Sequence, residues 1–345
     1  MVRVSPTEVD VCDISAAREV HRIRNGFLKS PWYKRLTLKD VENSFNTGDP
    51  EFHKFHRRLL ARPLSESALQ RVEAVVHARV RQTVRRIGDE MRCGVGADMF
   101  KWWTFMTTDV IGELSFGEPF RLVERGQDSQ FSRDLETVIS MQGIRAAFPG
   151  LVGTDSLVSL PLTRRAVQAS RRMLQHASDA VEGCRVRSTE RPEEAQHMLF
   201  KDMLREDEKG LSQQEIRDEA LIFIVAGSGT TAATLTYLVW AVCRDSSVKA
   251  ALVEAVSGLP NSFGNRDVQE LQYVEWVINE TLRLYASSPS GLPRIVPPGG
   301  TELAGYWFPG GSTVTTQAYS LHRDATVFPD PERYVFTAKM LLAMC

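Results

Sequence analysis

Residues 220–243 read ALIFIVAGSGTTAATLTYLVWAVC, twenty-four positions without a charge. Ser212-Gln-Gln-Glu215 lies just upstream. It is a capping box, in which serine and glutamate each satisfy a backbone amide at a helix start. Three readings follow. The first is a transmembrane helix, for which the length suffices. Against it, Ser, Thr and Gly interrupt the run, and Glu215, Arg217, Asp218 and Glu219 press on one end. The second is a dinucleotide site, making the protein an NAD(P)-dependent oxidoreductase. Gly227-Ser-Gly229-Thr-Thr-Ala232 fits G-x-G-x-x-A, and Asp245 follows. That fingerprint needs a strand before it and a second strand after its helix, yet the residues before it start a helix. The third is a long central helix, apolar on all sides because it is buried on all sides. Each internal glycine costs about 1 kcal/mol relative to alanine, so something bulky should approach the backbone there. A flat cofactor on a glycine groove, with the hydroxyls of Ser228, Thr230 and Thr231 beside it, accounts for the pattern best.

The 345 residues are 43% apolar and 25% charged, as in soluble globular chains, and the net charge is −1. A dedicated nucleic-acid binder would carry a basic excess. The five cysteines, at 12, 93, 184, 243 and 345, form no CxxC pair, which excludes a disulfide framework or zinc knuckle. The N-terminus has no long apolar stretch, so neither a signal peptide nor an anchor helix is expected from it.

Outward from the central run, helix dominates. Residues 2–12 alternate around Ser5-Pro6 as two short strands, and Ser15 is expected to cap a helix. Residues 49–89 read as helix interrupted by Pro63, and 98–117 as a buried aromatic helix ended by glycine. Residues 143–160 read as loop with short helix, 163–189 and 194–208 as surface helices, and 265–285 as one helix. Past Pro289, Pro and Gly cluster between short alternating strands. The fold class is therefore mainly α with small β-sheets, and no linker divides residues 1–345.

Two features carry charge with possible purpose. Between 53 and 92 there are ten Lys/Arg against four Asp/Glu, read as an anion site or a solvated helix face, the latter favoured for Arg79, Arg81, Arg85 and Arg86. Glu280-Thr-Leu-Arg283 puts carboxylate and guanidinium on one face of an apolar helix. On a surface that pair contributes little. In a core, the five donors of arginine suit a network.

Taken together, AGSGTT at 226–231, ETLRLY at 280–285, PRIVPPGG at 293–300, GYWFPGGSTVTTQAYSLHRD at 305–324 and FPDPERY at 328–334 resemble the cytochrome P-450 family of heme-thiolate monooxygenases, above all fungal members of secondary metabolism. DVIGELSFGEPF at 109–120 and HRRLLARPLS at 56–65 are similar too. The resemblance implies a cytochrome P-450-like fold, a heme cofactor, an apolar small-molecule substrate and a flavin-containing reductase. It implies that Arg57, four residues after His53, and Arg294 bind the heme propionates, and that Gly227 lies on the cofactor. Thr230 would serve proton delivery to dioxygen, and Glu280, Arg283 and Arg333 would be structural. The substrate is expected beside the loop after Phe45, Phe223 to Ala226, and Ser287 to Leu292.

The sequence departs from that family in three places. Gly229 stands where an acid is usual, and Ala338 falls near the second network arginine. No F-x-x-G-x-R-x-C-x-G loop occurs, and Cys345 is read as a free thiol. Axial thiolate drives O–O cleavage in this family. The sequence as it stands therefore predicts a single domain without the N-terminal anchor or the cysteine loop, cut at both ends. Such a chain would be cytoplasmic, where family members are anchored to the endoplasmic reticulum, and an inactive remnant is the alternative to a working monooxygenase.

Overall fold

Acidic and hydroxyl side chains set where most helices begin. The computed structural model describes residues 1–38, 40–94, 96–148, 161–193, 197–204 and 210–334. Helix α1 (Ile14–His21) starts at Asp13, whose carboxylate accepts from the Ala16 amide at 2.8 Å. The expected Ser15 cap is thus corrected: the carboxylate two residues earlier takes the free amide. Asp49 caps α2 (Pro50–Ala61), with Pro50 at the first position, where its missing N–H costs nothing. After the Pro63 interruption come α3 (Glu66–Arg71) and α4 (Glu73–Arg92). Asp98 opens α5 (Met99–Phe116), and Gly117 closes it at φ 79°, a left-handed turn that glycine takes without strain.

Next come α6 (Leu122–Arg125), α7 (Gln130–Ala147), α8 (Pro161–Glu190) and α9 (Gln213–Arg244). The capping box at α9 is present, with the Ser212 amide donating to Glu215 at 2.8 Å and the Glu215 amide to Ser212 Oγ at 3.2 Å. Two expectations change. Residues 143–147 continue α7 instead of forming loop, and of the helix expected over 194–208 the described part holds a 3-10 turn at Lys201–Leu204. The stretches 149–160, 194–196 and 205–209 lie outside the described residues.

The chain divides into two compact units, one spanning Pro31–Ala232, the other formed by Met1–Ser30 and the chain from Ala233 on. In the first, α5 is the buried centre: Trp102, Phe105, Met106, Thr108, Asp109 and Phe116 are all buried. Asp109 begins the DVIGELSFGEPF motif, and its carboxylate accepts the amides of Leu122 and Val123 at 3.0 Å each, starting α6. Burial pushes its pKa up, and these two hydrogen bonds pull it back.

The second unit holds the sheets. Strands β1 (Val2–Ser5), β2 (Glu8–Asp10), β3 (Leu28–Lys29), β4 (Arg294–Ile295) and β7 (Thr313–Thr315) form one sheet in the order β1-β2-β7-β4-β3. A hairpin of β5 (Thr301–Leu303) and β6 (Tyr306–Phe308) forms the other. Val11, Val20, Val296, Phe308 and Val314 pack into the core of this region. Helices α10 (Ser246–Ser257), α11 (Asn265–Gln269), α12 (Gln272–Leu284) and α13 (Ala318–Leu321) complete it. The single helix expected over 265–285 is two, because Leu271 leaves helical dihedrals at ψ 89° and its carbonyl accepts the amides that begin α12.

Replacing Asp109 by alanine strands two buried amides. Asp109→Ala is expected to cost about 3 kcal/mol, measured by urea unfolding, with Asp109→Asn recovering part of the loss.

Candidate functional site

Helix α9 has two unlike faces. Ala220, Ile224, Ser228 and Ala232, spaced at i, i+4, i+8 and i+12, are all 0% exposed. Ala226 and Thr230 are exposed, as are Tyr237 and Trp240 farther along. The expectation of burial on all sides is therefore corrected: one face is sealed and another, made of small and apolar residues, is uncovered. Over its most apolar window the helix is long and hydrophobic enough to cross a membrane, with 22% of that window buried.

The glycines belong to the covered side. A Cβ at Gly227 would meet Ile111 Cγ1 of α5 at 2.8 Å, and one at Gly229 would meet Ile139 Cδ1 of α7 at 2.8 Å. The bulk that these glycines admit is therefore two isoleucine side chains, and the expected contact of Gly227 with a flat cofactor gives way to this packing. Thr107 ties α5 to the same turn by donating to the Ser228 carbonyl at 2.9 Å. The G-x-G-x-x-A match lies in mid-helix with no strand before it, which removes the dinucleotide reading. Thr230 presents its hydroxyl on the uncovered face and donates to the Ala226 carbonyl at 2.8 Å. Ala226, expected from the sequence only as the end of the substrate lining Phe223 to Ala226, lies one turn before it on that face. The small residue of an AGxGTT run was its signal.

The N-terminal part of α9 carries a second set that sequence reasoning missed. Asp218 and Glu219 are 1% and 0% exposed, not charges at a membrane edge. Glu219 accepts from the Ser44 amide and, at 3.0 Å, from the Ser44 hydroxyl, and it lies 2.8 Å from His56 Nδ1. Asp218 accepts from the Glu42 amide at 3.2 Å, and its carbonyl accepts from Asn43 at 3.3 Å. Phe52 stacks on His56 at 3.9 Å. The loop at 40–49 is therefore pinned to α9 by buried acids. An Asp-Glu pair directly before an apolar helical run was the available clue.

On α2, Arg57 is exposed, and no described residue accepts from its guanidinium. His53, one turn earlier, is half-buried on the same side. Of the later arginines, Arg79 pairs with Glu113 at 2.7 Å, and Arg86 donates to the Val123 and Glu124 carbonyls, while Arg81 and Arg85 are exposed. In the other unit Arg294 sits in β4, its backbone paired with Lys29 and Val314. Burial lowers the pKa of His21, and the charge of Arg294 lowers it further.

Glu280 and Arg283 are 4% and 1% exposed and meet as a two-pronged pair, at 2.7 and 2.8 Å. The remaining N–H groups of Arg283 go to the carbonyls of His322 at 2.8 Å, Pro331 at 2.6 Å and Arg333 at 3.0 Å. Every guanidinium donor is used, and the Phe328 ring lies 4.7 Å away. Arg333 joins this knot through its backbone oxygen, while the residue itself is exposed. Position 338 and Cys345 lie outside the described residues. The described cysteines, 12, 93, 184 and 243, are free, and Cys184 is buried against Met198, its thiol pushed up to about 11 by burial. Among the described residues no group of His, Cys, Asp or Glu is arranged to hold a metal ion.

A pocket opens beside the first half of α9, lined by Leu36–Leu38, Asn43, Val138, Gln142, Arg145, Ser170, Met173, Leu221, Ile222 and Val225. It differs from the expected lining. The loop contributes residues before Phe45, and Phe223 turns away to meet Phe200 edge-on at 5.3 Å. Ser287 to Leu292 belong to the other unit.

Two outcomes follow. Glu280→Gln leaves the buried guanidinium without its counter-charge and is expected to cost about 3–5 kcal/mol, read by chemical unfolding. Gly227→Ala forces a methyl into Ile111 and should cost about 1–3 kcal/mol. The double variant Gly227→Ala with Ile111→Ala should be less destabilised than the sum of the two single changes, a coupling seen in a double-mutant cycle.

The comparisons agree with this geometry. The Cytochrome P450 family model matches residues 3–337. Similar proteins include the cytochrome P450 monooxygenases tazI of Aspergillus terreus, 42% identical over 96% of this chain and 68% of that protein, and azaI of Aspergillus niger, 41% identical over 97% and 71%. Another, stcB of Emericella nidulans, is 30% identical over 98% of this chain and 65% of that one. Among solved structures, that of retinoic acid-bound cyanobacterial CYP120A1 superposes with a TM-score of 0.74 at 20% identity, covering 95% of this chain and 70% of that one. With the buried Glu280–Arg283 pair, the AGSGTT helix and the mainly helical fold in their places, this chain belongs to the cytochrome P450 family of heme-dependent monooxygenases.

Proposed function

We propose that this chain provides the heme and substrate framework of a fungal monooxygenase that oxidises an apolar small molecule in secondary metabolism. The observation that carries it is the uncovered face of α9. An apolar helix face left open in a folded chain marks a binding surface, and the family's cofactor is an apolar disc edged by carboxylates. The residues present fit that group. Ala226 presents only a methyl, which leaves room for a ring, Thr230 offers a hydroxyl beside it, and Arg57 is an exposed guanidinium with no acceptor among the described residues. Guanidinium binds carboxylate in a two-pronged geometry, which supports Arg57 and Arg294 as the residues that hold the propionates. His53, one turn from Arg57, would add a further donor.

When bound, heme supplies the oxygen chemistry of this family. The protein's own part is positioning and proton handling. Thr230 would hold a proton or water at its Oγ1 on the open face, on the side where the cofactor would lie. The Glu280–Arg283 knot, with the Arg333 carbonyl, would keep its surroundings rigid. Gly229, where an acid is usual, places no carboxylate on this turn, so Thr230 and ordered water would carry proton delivery. Electrons would come from a flavin-containing reductase. We read residues 1–345 as one functional domain, since the family match runs through both compact units.

Titration of the purified chain with hemin tests this. Saturable one-to-one binding with a Soret band is expected, and Arg57→Ala and Arg294→Ala should each weaken it about tenfold, the loss of a charge-assisted pair. Absence of a Soret band, or unaltered affinity in both variants, contradicts the assignment.

A further inference from the structure

The cofactor does not account for the whole basic run at 53–92. Arg79 and Arg86 are tied to protein acceptors, and Arg81 and Arg85 stand in solvent. Arg62 and Arg71 have another setting. Arg62 closes α2, Arg71 ends α3, and both line a cavity of about 410 Å³ at this corner. His197, Lys201 and Asp202 line it from the stretch of chain before α9, with the buried Met198 between them. All of these residues belong to the unit Pro31–Ala232.

Three permanent cations and an imidazole therefore meet around one space, against a single acid. Arg62, Arg71 and Lys201 have no ion pair among the described residues, and their side chains and the His197 ring have no hydrogen-bond partner there. Elsewhere this unit pairs its arginines: Arg79 with Glu113, Arg172 with Asp134, and Arg187 with Glu118. Like charges drawn together disfavour one another, and an incoming anion relieves that cost. A cleft lined by one sign of charge also focuses the field and concentrates counter-ions.

The chemistry of the lining narrows the occupant. The volume lies in the range of small-molecule sites, roughly 300–1,000 Å³. Guanidinium groups grip phosphate with two parallel N–H···O bonds, and an ammonium adds a point charge. The cations come from three separate stretches of chain around the cavity. A lone phosphate meets only some of them, whereas two linked phosphates engage them together. A phosphate monoester carries about −1.5 to −2 at pH 7, and a linked pair carries more, enough to balance the cations that Asp202 leaves unmatched.

We propose that this corner is a binding site for a small soluble molecule carrying a diphosphate group, held by Arg62, Arg71 and Lys201 with His197 as a further donor. The site is separate from the heme reading and does not rest on it. Arg62 follows Arg57 by five residues, about 140° round the helix, so the two guanidinium groups leave α2 on different faces.

Calorimetric titration of the purified 345-residue chain with inorganic diphosphate, in metal-free buffer at pH 7.5 and physiological salt, tests this. Saturable one-to-one binding is expected. Arg62→Gln and Arg71→Gln should each weaken it about tenfold, the loss of a charge-assisted pair. Asp202→Asn removes the acid and should tighten binding about threefold, a gain that an unfolded variant could not show. The double variant Arg81→Gln with Arg85→Gln takes two exposed cations from the same run outside the cavity, and should leave affinity within about twofold. Hexaglutamate, whose charge is spread along an extended chain, should bind at least tenfold more weakly than diphosphate. Absence of saturable binding, unchanged affinity in both Arg62→Gln and Arg71→Gln, or an equal loss in the Arg81/Arg85 variant would overturn the proposal. So would hexaglutamate binding as tightly as diphosphate, which would make the corner a dock for an acidic protein segment.

Discussion

The one-sided packing of α9 is the constraint on which the rest depends. Its buried stripe is Ala220, Ile224, Ser228 and Ala232, with Ile111 of α5 and Ile139 of α7 set against the flanking Gly227 and Gly229. Small residues here are a matter of distance: any larger side chain would push the neighbouring helices off the backbone. Once that side is fixed, the orientation of the opposite face follows from the helical period. Ala226 and Thr230 must point away from the core, and no described residue buries them. Apolar surface of this kind is worth roughly 25 cal/mol per Å² when removed from water, so a flat apolar cofactor gains by lying there.

Buried charge then divides the molecule's ionic groups by role. The Glu280–Arg283 pair is satisfied on every side and stabilises its surroundings only as long as each partner is present. Glu219, enclosed by His56 and Ser44, ties the loop at 40–49 to the start of α9, and so fixes one wall of the pocket in which Asn43 and Leu36–Leu38 stand. Arg57 and Arg145 are the contrasting cases, one open to solvent and one enclosed, both lacking a carboxylate among the described residues.

Much of this was legible in the sequence where local rules act alone. The Asp49 and Asp98 caps, the Pro63 break, the glycine stop at 117 and the Ser212–Glu215 capping box all depend on a few neighbouring residues. What required the structure was tertiary. Sequence could show that Gly227 needs a close neighbour, not that the neighbour is Ile111. It could show an acidic pair at 218–219, not that His56 and Ser44, more than 160 residues earlier, enclose it. Arg145 was taken for loop, because Gly143 and the Gly/Pro-rich stretch beyond it obscure the end of α7, a helix held by packing on α8 through pairs such as Asp134–Arg172. Helical phase was hidden in the same way: it turns Phe223 to Phe200 and gives the pocket beside α9 to its neighbours Ile222 and Val225.

Amide hydrogen exchange along α9, with and without saturating hemin, addresses the central claim most directly. If the Ala226–Thr230 face is the cofactor surface, exchange should slow there and change little at Ala220 or Ile224, whose side is already sealed. Unchanged exchange across 226–230 in a chain that carries a full Soret band would contradict it.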